Sequence, residues 1–317
     1  MRKLATQLMA LGMLNFGFQM CSIAVADERS THIDSELECF GFLQAEDYSN
    51  AYMACQRAIS EGSDFGKVAL GNLYENGHGV TQSYERAIRL YRAAAEQGSA
   101  GGQSALGRLY LNGKGVAEDH VEAVHWFQLA AEQGSALAQF DLGLSYNRGV
   151  GITQDQVEAA RWYRAAAKQE FAPAQYNLAV MYRYGDGVSQ DHVEAVRWFR
   201  AAAEQGLAEA QLGLGMMYSD GHGILQDYAE ASRWYRAAAE QGIAQAQHNL
   251  GAAYVFGMGV TQNYVVAHAW LNISSANGWG RARDLRDRLA PQMTAEQMAE
   301  AQELARRCMA TNYVECE

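Results

Sequence analysis

The side chains here that could do chemistry are eight histidines, five cysteines and a Gly-x-Gly loop that returns at a fixed step. A zinc protease needs two histidines and a glutamate as HExxH on one helix face. His120-Val121-Glu122-Ala123-Val124-His125 has the wrong order. GxSxG and SxxK are absent, so no activated serine is marked. Acid–base catalysis needs groups within hydrogen-bond reach. His78 and His222 share a loop position and His120 and His192 the residue after a helix cap; repeat-equivalent histidines sit on different units and are expected not to converge on one point. A Gly-x-Gly can cradle phosphate, but no strand precedes these copies, and their recurrence reads as a turn. The expectation is a protein that is not an enzyme, with no cofactor and no metal.

The amino terminus reads as an export signal. Arg2 and Lys3 precede a mostly apolar run from Leu4 to Phe18, and Ala24-Val25-Ala26 offers a cleavage site before Asp27. The rival reading is an amphipathic helix that is kept. Cys21 is a poor lipidation site behind Phe18-Gln19-Met20. Residues 1–26 are therefore expected to be a signal peptide, and the mature chain periplasmic or secreted. It leaves Cys39, Cys55, Cys308 and Cys316, one pair near each end. An even count in an exported chain reads as disulfides, Cys39–Cys55 and Cys308–Cys316. The two other connectivities would join opposite ends of a rod. A metal site is the rival, without a CxxC or a histidine cluster to support it. Each bridge contributes about 2–3 kcal/mol by loop closure, at the ends that fray first.

The elements that carry these residues are set by a 36-residue period: the loop's second glycine falls at Gly79, Gly115, Gly151, Gly187, Gly223 and Gly259, and a tryptophan at Trp126, Trp162, Trp198, Trp234 and Trp270. Such self-similarity marks stacked helix pairs, an all-α solenoid. In residues 207–242, Ala210, Leu214 and Tyr218 share one face of a first helix. Gly215 is costly there, and a small residue lets a neighbouring helix come close. Ile224 plugs the loop; Asp227 with Glu230 predicts a capping box, repeated at Asp119/Glu122, Asp155/Glu158 and Asp191/Glu194. Gly242 closes the second helix, a place taken by Glu170 in the third unit, whose exit is expected to be strained or rearranged. The tryptophans read as core filling, with a ligand-stacking ladder as the alternative. The arginines beside them read as a solvated, locally ion-paired face.

The pattern AxAQxxLGxxYxxGxGVxQDxxxAxRWYRAAAEQG, nearly intact at 171–206 and 207–242, resembles the Sel1-like repeat family, relatives of the tetratricopeptide repeats. The resemblance implies a right-handed α/α solenoid of helix-turn-helix repeats, and a scaffold or adaptor for other proteins, often at the bacterial cell envelope. Cysteine-rich members were linked to penicillin binding or weak β-lactamase activity; they carry a cysteine pair in every repeat, and this chain does not. The expected organisation is an N-terminal cap and partial repeat at 27–62, six repeats (63–98, 99–134, 135–170, 171–206, 207–242 and 243–278) and a helical cap at 279–317. In the cap, Pro291 stops one helix and Thr294 with Gln297 opens another.

A net charge of −11 repels nucleic acid and anionic lipid heads. No apolar stretch after residue 26 reaches the ~18 residues of a spanning helix. The expected partner is a protein, held on the concave face by first-helix positions that vary between repeats. These are Leu137, Phe140, Leu144 and Asn147; Pro173, Tyr176, Val180 and Arg183; Glu209, Leu212, Met216 and Ser219. The strongest candidates are Leu137, Phe140, Leu144, Tyr176, Val180, Arg183, Leu212 and Met216. The sixth position of each set reads equally as packing against the adjacent repeat. Glycan or peptidoglycan binding through stacked Trp and Tyr is the alternative function.

Overall fold

The computed structural model describes residues 30–313 and 316; the expected signal peptide lies outside them. Among the described residues there are sixteen α-helices and no strand. They run α1 (Ser30–Gln44), α2 (Tyr48–Ser60), α3 (Asp64–Asn76), α4 (Tyr84–Glu96), α5 (Ala100–Asn112), α6 (His120–Glu132), α7 (Ala136–Arg148) and α8 (Gln156–Ala167). Then follow α9 (Ala172–Tyr184), α10 (His192–Glu204), α11 (Ala208–Asp220), α12 (Tyr228–Glu240), α13 (Ala244–Phe256), α14 (Tyr264–Ala276), α15 (Gly280–Leu289), a 3₁₀ turn (Ala290–Gln292) and α16 (Ala295–Ala310). Two compact units meet the description, one ending at Phe171 and one starting at Ala172. Within the first, each helix from α1 to α8 packs on the next; within the second, α9 to α15 do so and α16 packs on α14. Each unit is thus an all-α solenoid of stacked helix pairs.

The local sequence explains each pair. Ser63, Ser99 and Ser135 cap α3, α5 and α7 by accepting the N–H of Gly66, Gly102 and Ala138. Asp119, Asp155, Asp191 and Asp227 cap α6, α8, α10 and α12 in the same way. The expected capping boxes are only half formed. Their glutamates turn forward along the helix: Trp126 donates to Glu122 at 2.8 Å, Trp198 to Glu194 at 3.1 Å, and Arg161 and Arg233 pair with Glu158 and Glu230. A partner one turn ahead holds the carboxylate better than the cap N–H behind it. The complete box is at Thr294–Gln297, where α16 starts after the 3₁₀ turn that Pro291 opens behind α15.

Inside the pairs, a small first-helix residue seats a large side chain of the second helix, an aromatic except in the last repeat, where Gly251 faces Leu271. A Cβ on Gly215 would lie 2.7 Å from the ring of Tyr235, and Gly71, Gly107 and Gly143 face Tyr91, Phe127 and Tyr163 as closely. Ala179 takes this place once and is fully buried.

Successive repeats are stitched by a buried glutamine. Gln103, Gln139, Gln211 and Gln247 donate to the carbonyls of Ala95, Ala131, Ala203 and Ala239, at 3.1–3.4 Å, near the end of the preceding repeat's second helix. The same side chains accept from Gln133, Gln169, Gln241 and Asn277, which close their own repeat, at 2.7–2.9 Å. Gln175 accepts from Gln205 at 2.8 Å.

Both ends are tied covalently. Cys39 is bonded to Cys55, and Cys308 to Cys316. Residues 30–44 form a full helix, α1, where the sequence pattern marked only a partial repeat; the bridge to α2 holds it where the repeat's small-residue signature is absent. Asn277 donates to Tyr313 at 3.0 Å, joining the last repeat to the chain just before Cys316.

Glu170 takes the left-handed conformation at φ 62°, where the other repeats have glycine. Its N–H still bonds the Ala167 carbonyl at 3.0 Å, as Gly206 does with Ala203 at 2.9 Å. The exit is therefore strained, not rearranged. Two outcomes follow in chemical denaturation. Glu170→Gly should raise stability by about 1 kcal/mol, the cost of a side chain in this region. Gln211→Leu should lower it by about 2–3 kcal/mol, because Gln241 and the Ala203 carbonyl lose their partner; a change under ~0.5 kcal/mol would refute the stitch.

Candidate functional site

The candidate residues fall on the first helices, and each unit carries its own set. In the second unit, α9 places Tyr176, Val180 and Arg183, and α11 places Leu212 and Met216. All five are half-buried. Tyr176 leans on Phe199 of α10, ring centroids 5.9 Å apart, and burial pushes its hydroxyl pKa upward. Arg183 Nη1 approaches Met216 Sδ at 3.9 Å, and Gln245 Nε2 of α13 approaches the same sulfur at 3.9 Å. Three successive first helices thus meet around Met216.

In the first unit, α7 places Leu137, Phe140 and Leu144, also half-buried. Phe140 packs on Tyr163 of α8 at 5.9 Å and on Phe171 at 5.3 Å. The sixth position therefore does share in the packing, against its own repeat's second helix and, for Phe140, against the first residue of the next repeat as well, while keeping part of its surface open. Two charged residues of this unit's first-helix row, Glu75 and Arg108, are held by neighbours. Lys114 lies 3.7 Å from Glu75, Tyr91 donates to Glu75 at 2.9 Å, and Arg108 lies 3.8 Å from Asp141.

The second helices present a different face. Trp270 and Trp162 are buried, and Trp126, Trp198 and Trp234 are half-buried. Arginine guanidiniums cover Trp162, Trp198 and Trp234 at 4.1, 5.0 and 4.4 Å from the ring centroids. These rings pack the repeats, and a sugar ring would first have to displace the arginines.

Two histidines at different repeat positions meet. His192, which opens α10, stacks on the loop residue His222 with centroids 5.0 Å apart and planes at 14°. Tyr48 stacks on His78 in the equivalent place, 4.6 Å apart. The first residue of a second helix meets the loop of the next repeat, a contact that sequence spacing by whole repeats hides. Among the described residues, no cluster of three or more His, Cys, Asp or Glu side chains could hold a metal ion.

The repeat consensus of the Sel1 repeat family matches residues 67–99, 100–135, 136–171, 172–207, 208–243 and 244–279. The chain belongs to the Sel1 repeat family. It is similar to a Sel1 repeat protein of Oxalobacter formigenes, 33% identical over 76% of this chain and 96% of that one, with a TM-score of 0.67. It is also similar to c5321, a protective antigen of uropathogenic Escherichia coli with the same repeat fold: 25% identity, 91% and 86% coverage, TM-score 0.46. A further likeness, at 18% identity, is to the immunity protein Pa5087 of Pseudomonas aeruginosa, covering 69% and 84% with a TM-score of 0.48. No curated protein matches the sequence. Sel1 repeat proteins are generally protein-interaction scaffolds. No helix among the described residues is long and apolar enough to cross a membrane.

One Sel1 repeat carries a buried charge. Asp141 of α7 is 8% exposed, and its Oδ2 has no hydrogen-bond partner. Burial pushes its pKa up to about 6, against the opposing pull of Arg108. The folded state thus holds this proton more tightly than the unfolded chain. Its contribution to stability is fully present below about pH 4 and is lost as pH rises through 6. Asp141→Asn should raise the melting temperature at pH 7.5 and leave it unchanged relative to wild type at pH 4. Equal melting at both pH values would contradict this.

Proposed function

We propose that this Sel1 repeat protein is an exported, non-enzymatic scaffold of the bacterial cell envelope that binds a protein partner on the concave, first-helix face. The observation that carries the reading is the composition of that face in the second unit. Tyr176, Val180, Leu212 and Met216 stay half-exposed along helices whose opposite sides are fully packed. Partly exposed apolar side chains on successive first helices suit a site that another molecule covers. Family membership supports a protein as that molecule. Export is supported by the basic and apolar leader with its Ala24-Val25-Ala26 site, and by two disulfides at the ends of the chain. The catalytic reading has no support in the arrangement of the histidines, and turnover of a chromogenic cephalosporin would revive it.

Cross-linked pull-down from envelope extract tests the proposal. Tyr176→His with Met216→Gln makes the strip more polar while keeping a ring against Phe199 and most of the side-chain volume. We expect a defined protein captured by the wild type to be reduced at least tenfold by the double variant, with the helical signal and unfolding midpoint close to wild type. Capture that ignores the substitutions would move the binding site off this face.

A further inference from the structure

The partner's chemistry is written in one arginine. Arg183 lies half-buried at the end of the strip formed by Tyr176, Val180, Leu212 and Met216. Its contacts are the thioether of Met216 at 3.9 Å and the ring of Tyr184, whose centroid lies 5.4 Å from the guanidinium carbon. No carboxylate among the described residues pairs with it, whereas Arg161, Arg197 and Arg233 on the second helices each pair with a glutamate. Sulfur is a weak acceptor, and a guanidinium carries five donors in a fork that matches a carboxylate. A partly desolvated cation without a counter-ion has most to gain from one. Gln245 Nε2, 3.9 Å from the same sulfur, adds a second donor whose acceptor is equally poor. The two donors come from the fourth and sixth repeats and converge beside the fifth.

We infer that the first-helix face of the second unit takes a peptide segment that sets a carboxylate on Arg183 and Gln245 and an adjoining apolar side chain on Tyr176, Val180 and Leu212. This rests on the protein-binding reading above and specifies its partner. Acids also flank the face: Glu209 and Arg183 both act on Tyr176, and Asp220 and Arg183 both act on Tyr235.

Selection from a phage-displayed library of random twelve-residue peptides tests this without knowledge of the natural partner. The selected peptides are synthesised, and their affinity is read by fluorescence polarisation. The expected result is enrichment of sequences that join Asp, Glu or a free carboxyl terminus to an apolar residue. Their affinity should fall at least tenfold in Arg183→Ala, recover in part in Arg183→Lys, and weaken as salt rises. Unfolding midpoints of both variants serve as the folding control. No enrichment, or enriched peptides whose affinity ignores Arg183→Ala, would overturn the inference. Peptides that depend on Tyr176 and Met216 but not on Arg183 would overturn it while leaving the binding face in place; peptides that depend on none of these would remove that face as well.

Discussion

The structure depends on one polar interaction inside an otherwise apolar stack. A glutamine at the start of each first helix reaches back to a carbonyl at the end of the repeat before it and receives an amide from the end of its own repeat. The bond to the carbonyl is buried and the bond from the closing amide part-buried, so a geometry that misses the first leaves an unpaired group at a cost of about 1–3 kcal/mol. Apolar contacts alone tolerate sliding, because they are non-directional. The glutamine does not, and within each unit it holds one helix pair at a set offset to the next. In the first full repeat Lys67 replaces it and donates to Gln97, and in the last Asn277 replaces the donor. The stitch therefore changes chemistry at the ends, where the disulfides take over.

That constraint explains the strict period. A repeat with an inserted residue would turn its glutamine away from the carbonyl it must meet. The loop is fixed for a similar reason: Gln82, Gln154, Gln190, Gln226 and Gln262 each donate to the carbonyl of the residue that ends the open side of the first helix, at 2.7–2.8 Å. The one substitution that the period accepts at a price in strain is Glu170, whose hydrogen bond survives in a left-handed backbone. It falls next to Phe171 and Ala172, where the first compact unit gives way to the second.

The helices, their ends and their pairing were legible in the sequence because they arise from features with fixed spacing: glycine at a helix exit, Asp at a cap, alanine and leucine four apart. The glutamines were visible as a recurring letter, but their role was not, since each bond joins residues from opposite ends of a repeat or from two repeats. The capping glutamates misled for the opposite reason. Their spacing fits a box, yet a tryptophan or arginine one turn ahead competes for the same carboxylate, and three-residue spacing does not rank the two. The stack of His192 on His222 needed the registry of neighbouring repeats, and Asp141 needed its burial. On the candidate face, spacing alone chose the first-helix positions; that Phe140 and Tyr176 also lean on second-helix rings required the coordinates.

The double use of those aromatics bears on how such a surface diversifies. Packing residues of the repeat interior are held by rings, glutamines and small residues that admit little change. The residue types on the open side are bound by weaker contacts. Phe140 and Tyr176 keep their rings on the core side, so replacing one aromatic by another preserves packing while altering what a partner meets. Val180, Arg183 and Met216 lie further along the helix, with no ring of the core against them in the case of Arg183 beyond its neighbour Tyr184. Exchange at Arg183 alters charge and shape of the face at small cost to the stack, whereas Val180 and Met216 also pack on the core and are less free to change. Because the glutamine stitch sets the distance between successive first helices independently of these side chains, a repeat can exchange its face without shifting its neighbours. The solenoid thus separates the work of holding a shape from the work of choosing a partner, and Arg183, unpaired in a chain of net negative charge, belongs to the second.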